Sequence, residues 1–429
     1  METVAFHTLG CKVNSYESQA MLEIFQKAGY KEVGFKEPAD VYVINTCTVT
    51  NTGDSKSRQM IRKAIRQNKQ AVVCVVGCYS QLASDVLQEM DGVSVILGTQ
   101  YRGEIVQLVN TYKKENRQIV KVGKIQNVRQ FEDLNIQLSK HTRAFVKIQD
   151  GCNEFCTYCI IPYARGRIRS RPPQSIIDQA KNLVASGYVE IVLTGIHTAG
   201  YGEDLDHYSF YDLLKDLIAI KGLQRIRISS IEITQISDAI IQLIGDNECI
   251  VDQIHVPLQS GCDSVLQRMN RKYTIAQFES TLHKIRTLLP EIAFTTDIIT
   301  GFPGETEEEY NMTVETLRRL KFTELHVFPY SPRNNTPAAR MKDQIDGITK
   351  QKRVNQLLQV SKELHEDFGR KQIGKTLSVL FETEEGDSII GHASNYMRVK
   401  VAAKEGLIGT IQSVTIDSYQ DASLLGRVI

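Results

Sequence analysis

The sequence predicts an α/β protein in three parts: an N-terminal open parallel α/β sheet, a central partial (β/α)6 barrel, and a small C-terminal β-barrel. Three observations predict this. Short apolar, β-branched runs alternate with helical runs over the first 110 residues. The same alternation recurs six times between 141 and 345. From 371 onward the helical runs stop, and short strands with Gly at their turns take over. A length of 429 residues fits about three domains, and 42% apolar with 24% charged residues is ordinary globular composition.

In residues 1–110, VAFHTLG, DVYVINT and AVVCVVG read as strands, and SYESQAMLEIFQKAG and SRQMIRKAIRQN as the helices between them. Residues 111–140 are polar and read as a connector. In the central part, residues 141–370, the strands are AFVKIQ, VEIVLTG, QRIRISS, DQIHVPL, AFTTDIITG and FTELHVFPY, and a helix closes it from about Thr349 to Arg370. Six such units make about three-quarters of an eight-unit barrel. Residues 371–429 give KTLSVLFE, IIGHAS, YMRVKVA, GTIQSVTIDSYQ and LLGRVI, the pattern of a small closed β-domain.

The N-terminus lacks a basic segment followed by an apolar one, so no signal peptide is expected. The longest apolar runs are strand-length, so no membrane span is expected, and a cytoplasmic location follows by default. Net charge is +1, so nucleic-acid binding would have to rest on local basic patches. The nine cysteines are odd in number and clustered, which reads as metal ligands and not as a disulfide framework.

Cys152, Cys156 and Cys159 follow the first central strand in a CxxxCxxC loop, where α/β barrels carry their catalytic groups. Three thiolates can bind three irons of a cubane cluster that normally takes four, which leaves one iron for a substrate ligand. A bound sulfonium cofactor reduced there would release a carbon radical. The competing reading is a zinc site completed by His141 or His197, although the spacing is unusual for zinc. Cys11, Cys47 and Cys78 each end a predicted parallel strand, so three thiols are expected to converge at one sheet edge and hold a second cluster. Cys74, inside an apolar run, competes with Cys78 but reads better as a small buried hydrophobe. Cys249 and Cys262 are not expected to be ligands.

The run CNEFCTYCIIPYARGRIRSR resembles the signature of the radical S-adenosylmethionine methylthiotransferases, and the resemblance extends over nearly the whole chain. LGCKVN, NTC and GC then look like that family's auxiliary-cluster ligands. The resemblance implies a barrel of radical SAM type, two 4Fe–4S clusters and two S-adenosylmethionine molecules per turnover. One is cleaved to a 5′-deoxyadenosyl radical and the other methylates sulfur held at the auxiliary cluster. A reductant such as flavodoxin or ferredoxin and a sulfur donor are implied as partners. The C-terminal module resembles the TRAM domain, which in this family binds tRNA.

The stretches 193–202, 229–232, 257–261, 297–305 and 328–337 follow predicted strands and also look like the family's cofactor motifs. Gly195, Ser229, Glu232, Gln259 and Tyr330, with Tyr158 inside the signature, are the residues expected near the adenosyl cofactor. Where the family often has Gly, this chain has Asn335. Arg165, Arg167, Arg169 and Arg171 alternate beyond the triad, and an extended segment would turn all four to one wall fit for phosphates or a carboxylate. A solvated basic edge is the plainer alternative. Arg58, Arg62, Lys63, Arg66 and Lys69 cluster on a predicted helix, where a plain solvated face serves as well. The last 59 residues carry six Lys and Arg against seven Asp and Glu, so RNA contact there would depend on where Lys375, Arg398, Lys400 and Lys404 sit.

The opening LGCKVNSYES is most similar to the branch acting on N6-threonylcarbamoyladenosine beside the tRNA anticodon. Other branches act on N6-isopentenyladenosine or on an aspartate of a ribosomal protein. Reaching C2 of such a base requires it to leave its stack. A non-catalytic RNA-binding protein with structural metal sites is the alternative of another class.

Overall fold

The computed structural model describes residues 1–137 and 142–429. The N-terminal sheet holds β1 (Thr3–Thr8), β2 (Lys31–Glu32), β3 (Val41–Thr46), β4 (Val72–Gly77), β5 (Val95–Leu97) and β6 (Ile119–Lys121). All pair in parallel, in the order β2-β1-β3-β4-β5-β6. Both faces are covered, which is why the strands read as unbroken apolar runs. Val41 and Val43 pack on one face with Met21 and Phe25 of helix Lys12–Lys27. Tyr42 and Ile44 pack on the other with Ile61 and Ala64 of helix Asn51–Gln67. Cys74 lies within the first of these cores, fully buried. The sheet runs past residue 110. The end of helix Ile105–Glu115 and the whole of β6 fall inside the segment expected to be a connector, because its short apolar run IVK is flanked by polar residues and carries little signal.

The central barrel contains β7 (Ala144–Lys147), β8 (Gln149–Asp150), β9 (Arg169–Ser170), β10 (Glu190–Thr194), β11 (Arg225–Ile228), β12 (Gln253–His255), β13 (Ala293–Thr300) and β14 (Glu324–Pro329). β8 and β9 form a separate antiparallel pair. The other six are the predicted barrel strands, in two parallel groups, β11-β10-β7 and β12-β13-β14, joined by the bridge Ile226↔Ile250. One apolar core lies between these strands and their helices.

β15 (Thr376–Glu385), β16 (Ser388–Ala393), β17 (Arg398–Ala402), β18 (Ile411–Gln420) and β19 (Ser423–Val428) close a barrel in the order β15-β16-β17-β19-β18. Helix Gly347–Arg370 joins it to the centre: Leu357 and Val360 belong to the central core, and Phe368 packs on the small barrel's core.

Two sets of charges lock the N-terminal domain to the central one. On one flank Glu17 receives Arg165 at 2.9 Å, Lys147 at 2.7 Å and Arg102 at 3.1 Å, all buried. On the other, Arg333 reaches Asp54 and Asn51 at 2.6 Å each and Thr48 at 2.7 Å. No helix among the described residues is long and apolar enough to cross a membrane.

Candidate active site

Register places Cys11, Cys47 and Cys78 together. β1, β3 and β4 are neighbours, with Thr8 opposite Asn45 and Thr46 opposite Gly77. Cys47 follows β3 directly, Cys78 follows β4 directly, and Cys11 caps helix Lys12–Lys27 just beyond β1. The three lie close enough that Cys11 and Cys47 each push the Cys78 thiol further up, on top of burial, to about 12. Gly10 makes this approach possible: at φ +100°, an added Cβ would lie 2.9 Å from the Cys47 Cβ. Cys11 is exposed, Cys47 half-buried and Cys78 buried, so the trio opens on the Cys11 side.

Cys152, Cys156 and Cys159 sit in the loop after β8, and burial raises the Cys159 thiol to about 12, with Cys156 adding to it. Thiols this hard to ionise become thiolates only when a cation replaces the proton. Arg271 donates to Cys156 Sγ at 3.3 Å and also to Glu232, and Arg165 donates to Cys78 Sγ at 3.2 Å. Each trio therefore has one buried guanidinium against one sulfur.

Donor spacing separates the metal readings. A zinc ion holds thiolates about 2.3 Å from itself, so its donors crowd together. Among the described residues, His255, Asp297 and His326 have donor atoms all within 4.8 Å of one another, and neither cysteine trio is drawn so tight. Wider spacing suits a cluster of several irons. His141 lies outside the described residues. His197 is buried with both ring nitrogens unpartnered among the described residues, and it makes no hydrogen bond to a cysteine of the loop.

Two cavities adjoin the trios. One, of about 240 Å³, is lined by Cys159, Tyr158, Gln259, Tyr330 and Asp297. The other, of about 390 Å³, is lined by Cys11, Gly195, Ser229, Asp297 and Tyr396 of the C-terminal barrel. Asp297 belongs to both walls, so the strand ends of the barrel face both trios. Ser229 Oγ and the Tyr330 hydroxyl are buried without a hydrogen-bond partner among the described residues, which suits a ligand rich in hydroxyls and charged groups. Glu232 is committed to Arg271. Gln259 takes a left-handed backbone at φ +68°, and its N–H donates to Asp297 O at 2.8 Å. Asn335 also takes the left-handed region, at φ +71°, a conformation Asn tolerates almost as Gly does.

The expected wall of four guanidiniums is not formed. The segment is not extended throughout: Arg165 ends helix Ile161–Arg165, and β9 spans only Arg169–Ser170. Arg165 is buried among Asn14, Glu17 and Asp150. Arg169 is turned onto the carbonyls of Arg165 and Arg167 at 2.8 and 2.9 Å. Arg171 is buried against Asp133 at 2.7 Å, with Gln179 and Asn135. Arg167 alone is exposed, its guanidinium over the Phe155 ring. On the small barrel, Lys375 pairs with Glu291 and Arg398 with Glu385, while Lys400 shares the Arg398 face of β17. Arg58 lies against the Tyr79 ring, and Arg62, Arg66 and Lys69 are exposed. Cys249 packs on the central core and Cys262 in an apolar cluster with Phe302 and Tyr330.

Residues 146–317 match the radical SAM superfamily, and residues 3–98 match a family described as uncharacterized protein family UPF0004. The chain is 49% identical to threonylcarbamoyladenosine tRNA methylthiotransferase MtaB of Bacillus subtilis (strain 168), over 97% of this chain and 94% of the relative. It belongs to the radical SAM methylthiotransferase family. The MtaB of Thermotoga maritima is 34% identical, over 99% of this chain and 96% of its own. A tRNA-2-methylthio-N(6)-dimethylallyladenosine synthase of Clostridium beijerinckii is 33% identical, over 98% and 94%. The fold is shared with the radical S-adenosylmethionine methyltransferase TsrM from Kitasatospora setae, at a TM-score of 0.59 and 15% identity over 79% of this chain and 77% of that one. The methylthiotransferase is thus a radical enzyme whose family works with S-adenosylmethionine and a 4Fe–4S cluster.

Sequence reasoning singled out neither Arg271 nor the group His255, Asp297 and His326. Both histidines stood in recognised strand runs, but their meeting across β12, β13 and β14 is a matter of barrel register. Lys12 stood beside Cys11 in a quoted motif and lines the larger cavity.

Proposed function

We propose that this methylthiotransferase inserts a methylthio group at C2 of N6-threonylcarbamoyladenosine beside the anticodon of tRNA. The observation that carries the reading is the cavity of about 390 Å³ that Cys11 shares with Gly195 and Ser229, because a base held there lies between the N-terminal trio and the barrel's strand ends. The names of the Bacillus and Thermotoga relatives support the substituent. In this reading Cys152, Cys156 and Cys159 hold the radical-generating cluster, and Cys11, Cys47 and Cys78 hold a second one that carries sulfur. When bound, these groups supply reductive cleavage of S-adenosylmethionine and a sulfur atom for transfer, at two cofactor molecules per turnover and with an external reductant and sulfur donor.

The chain's own residues do the positioning. Arg271 spans Cys156 Sγ, Glu232 and the Pro257 carbonyl, so it fixes the loop relative to the cofactor wall. Ser229 and Tyr330 offer hydroxyls to the ligand, and Tyr158 and Gln259 close the smaller cavity around Cys159. Arg167, Lys375, Arg398 and Lys400 are the candidates for contact with the anticodon stem-loop.

Mass spectrometry of tRNA nucleosides from a deletion strain tests the substrate. Loss of the methylthio form of threonylcarbamoyladenosine is expected. Loss of methylthio-dimethylallyladenosine instead would establish the activity named for the Clostridium relative.

A further inference from the structure

One basic side chain on the wall of the larger cavity has no partner among the described residues. Arg227, on its wall, is bound to Glu190 at 2.9 Å, and Arg143 near it is bound to Glu382 at 3.0 Å. His326 faces Asp297, Nδ1 to Oδ1 at 3.3 Å, and His255 faces the same carboxylate, Nε2 to Oδ2 at 3.3 Å. Lys12 lines this cavity and makes no hydrogen bond or salt bridge with a described residue. It starts a helix of 16 residues whose first turn carries no acidic side chain, so the amide dipoles there also favour an anion.

The opposite wall is polar and held in place. His255 and His326 stack with ring centroids 5.2 Å apart, and Thr295 Oγ1 contacts His255 Nδ1 at 2.9 Å. Asp297 hydrogen-bonds to His326, which raises the imidazole's pKa and favours the imidazolium. Glu324 lies 3.9 Å from the far ring nitrogen. A branched hydrocarbon substituent entering here would strip water from Lys12, His326 and Asp297 and return no interaction. A substituent ending in a carboxylate would meet Lys12 on one side and His326 on the other.

We propose that Lys12, with His326 held against Asp297, forms the subsite that receives the carboxylate of the substrate's N6 substituent and so selects it over an apolar one. This rests on the threonylcarbamoyl reading above, and it assigns that selection to two residues.

The test measures affinity of the full-length chain for three synthetic anticodon stem-loops. One bears threonylcarbamoyladenosine, one its neutral carboxamide analogue and one dimethylallyladenosine. Wild type is expected to favour the carboxylate over the carboxamide by about tenfold, the scale of one charge-assisted hydrogen bond. Lys12→Met is expected to bring that ratio close to one, Lys12→Arg to keep most of it, and His326→Phe to lower it about threefold. Because the ratio is taken within each variant, a general loss of RNA affinity does not imitate the result. If wild type shows the preference and Lys12→Met retains it, the subsite is wrong while the substrate reading stands. If wild type binds the dimethylallyl stem-loop best, the substrate reading falls and takes the subsite with it.

Discussion

The two cysteine trios are brought together in opposite ways. Cys152, Cys156 and Cys159 come from one loop, so their meeting is written into eight consecutive residues. Cys11, Cys47 and Cys78 come from three strands and meet only because β1, β3 and β4 lie side by side in register. The first site needs a local turn, and the second needs a folded domain. The guanidiniums differ in the same sense. Arg271 holds its trio from within the barrel, whereas Arg165 reaches its sulfur across the domain boundary.

The strongest way to break the comparison is to remove one trio at a time. Cys156→Ala is expected to abolish 5′-deoxyadenosine formation, read by chromatography of the quenched reaction. The triple change Cys11→Ala, Cys47→Ala and Cys78→Ala is expected to leave that product and to stop methylthiolation. Equal loss of both products in both variants would mean the trios are not functionally separate.

Arg165→Met tests the dependence of the N-terminal trio on domain docking. It takes one buried cation from Glu17 and Asp150, which keep Lys147 as a shared partner, a change expected to cost up to about 3–5 kcal/mol in denaturant unfolding. Iron analysis should show greater loss at the N-terminal trio than at the loop.

Acid should act at the same junction. Burial pushes the Glu17 carboxyl up, but Arg102, Arg165 and Lys147 outweigh it and hold the group down to about 2 from an ordinary 4.5. A lowered folded-state value means the stabilisation is complete above about 4.5 and is lost as pH falls through about 2. That contribution is at most about 3 kcal/mol, from 1.36 kcal/mol per unit. Unfolding free energy of wild type should therefore fall over this window, and Glu17→Gln should be less stable at neutral pH with a flatter acid limb.

The smallest effect sharpens the comparison from outside it. Arg398→Ala removes an exposed pair with Glu385 and should change stability by less than about 1 kcal/mol. If Arg398 meets a phosphate, the salt dependence of RNA affinity should drop by about one unit of slope, with iron content unchanged at both trios.

The same contrast explains what was legible in the sequence. The six barrel strands and the five C-terminal strands fall where their alternation and turns placed them, because those signals are local. The Cys11, Cys47 and Cys78 edge was legible at one remove, through strand order. The arginine wall was misread because alternation in sequence says nothing about Glu17, Asp150 and Asp133, whose carboxylates draw Arg165 and Arg171 inward from distant segments. Lys12 and His326 escaped notice for the same reason: one comes from the N-terminal domain, the other from the last barrel strand.

The salt links on both flanks of the cleft have a further bearing. Glu17 bolts one side and Arg333 clasps the other, so the halves of the protein do not swing apart to admit a polynucleotide without breaking buried ion pairs. The burden of deformation then falls on the RNA. On the proposed reading, an anticodon loop would have to unstack and extend a single nucleotide into the cavity, and the salt-linked joint would then limit which loops can be modified.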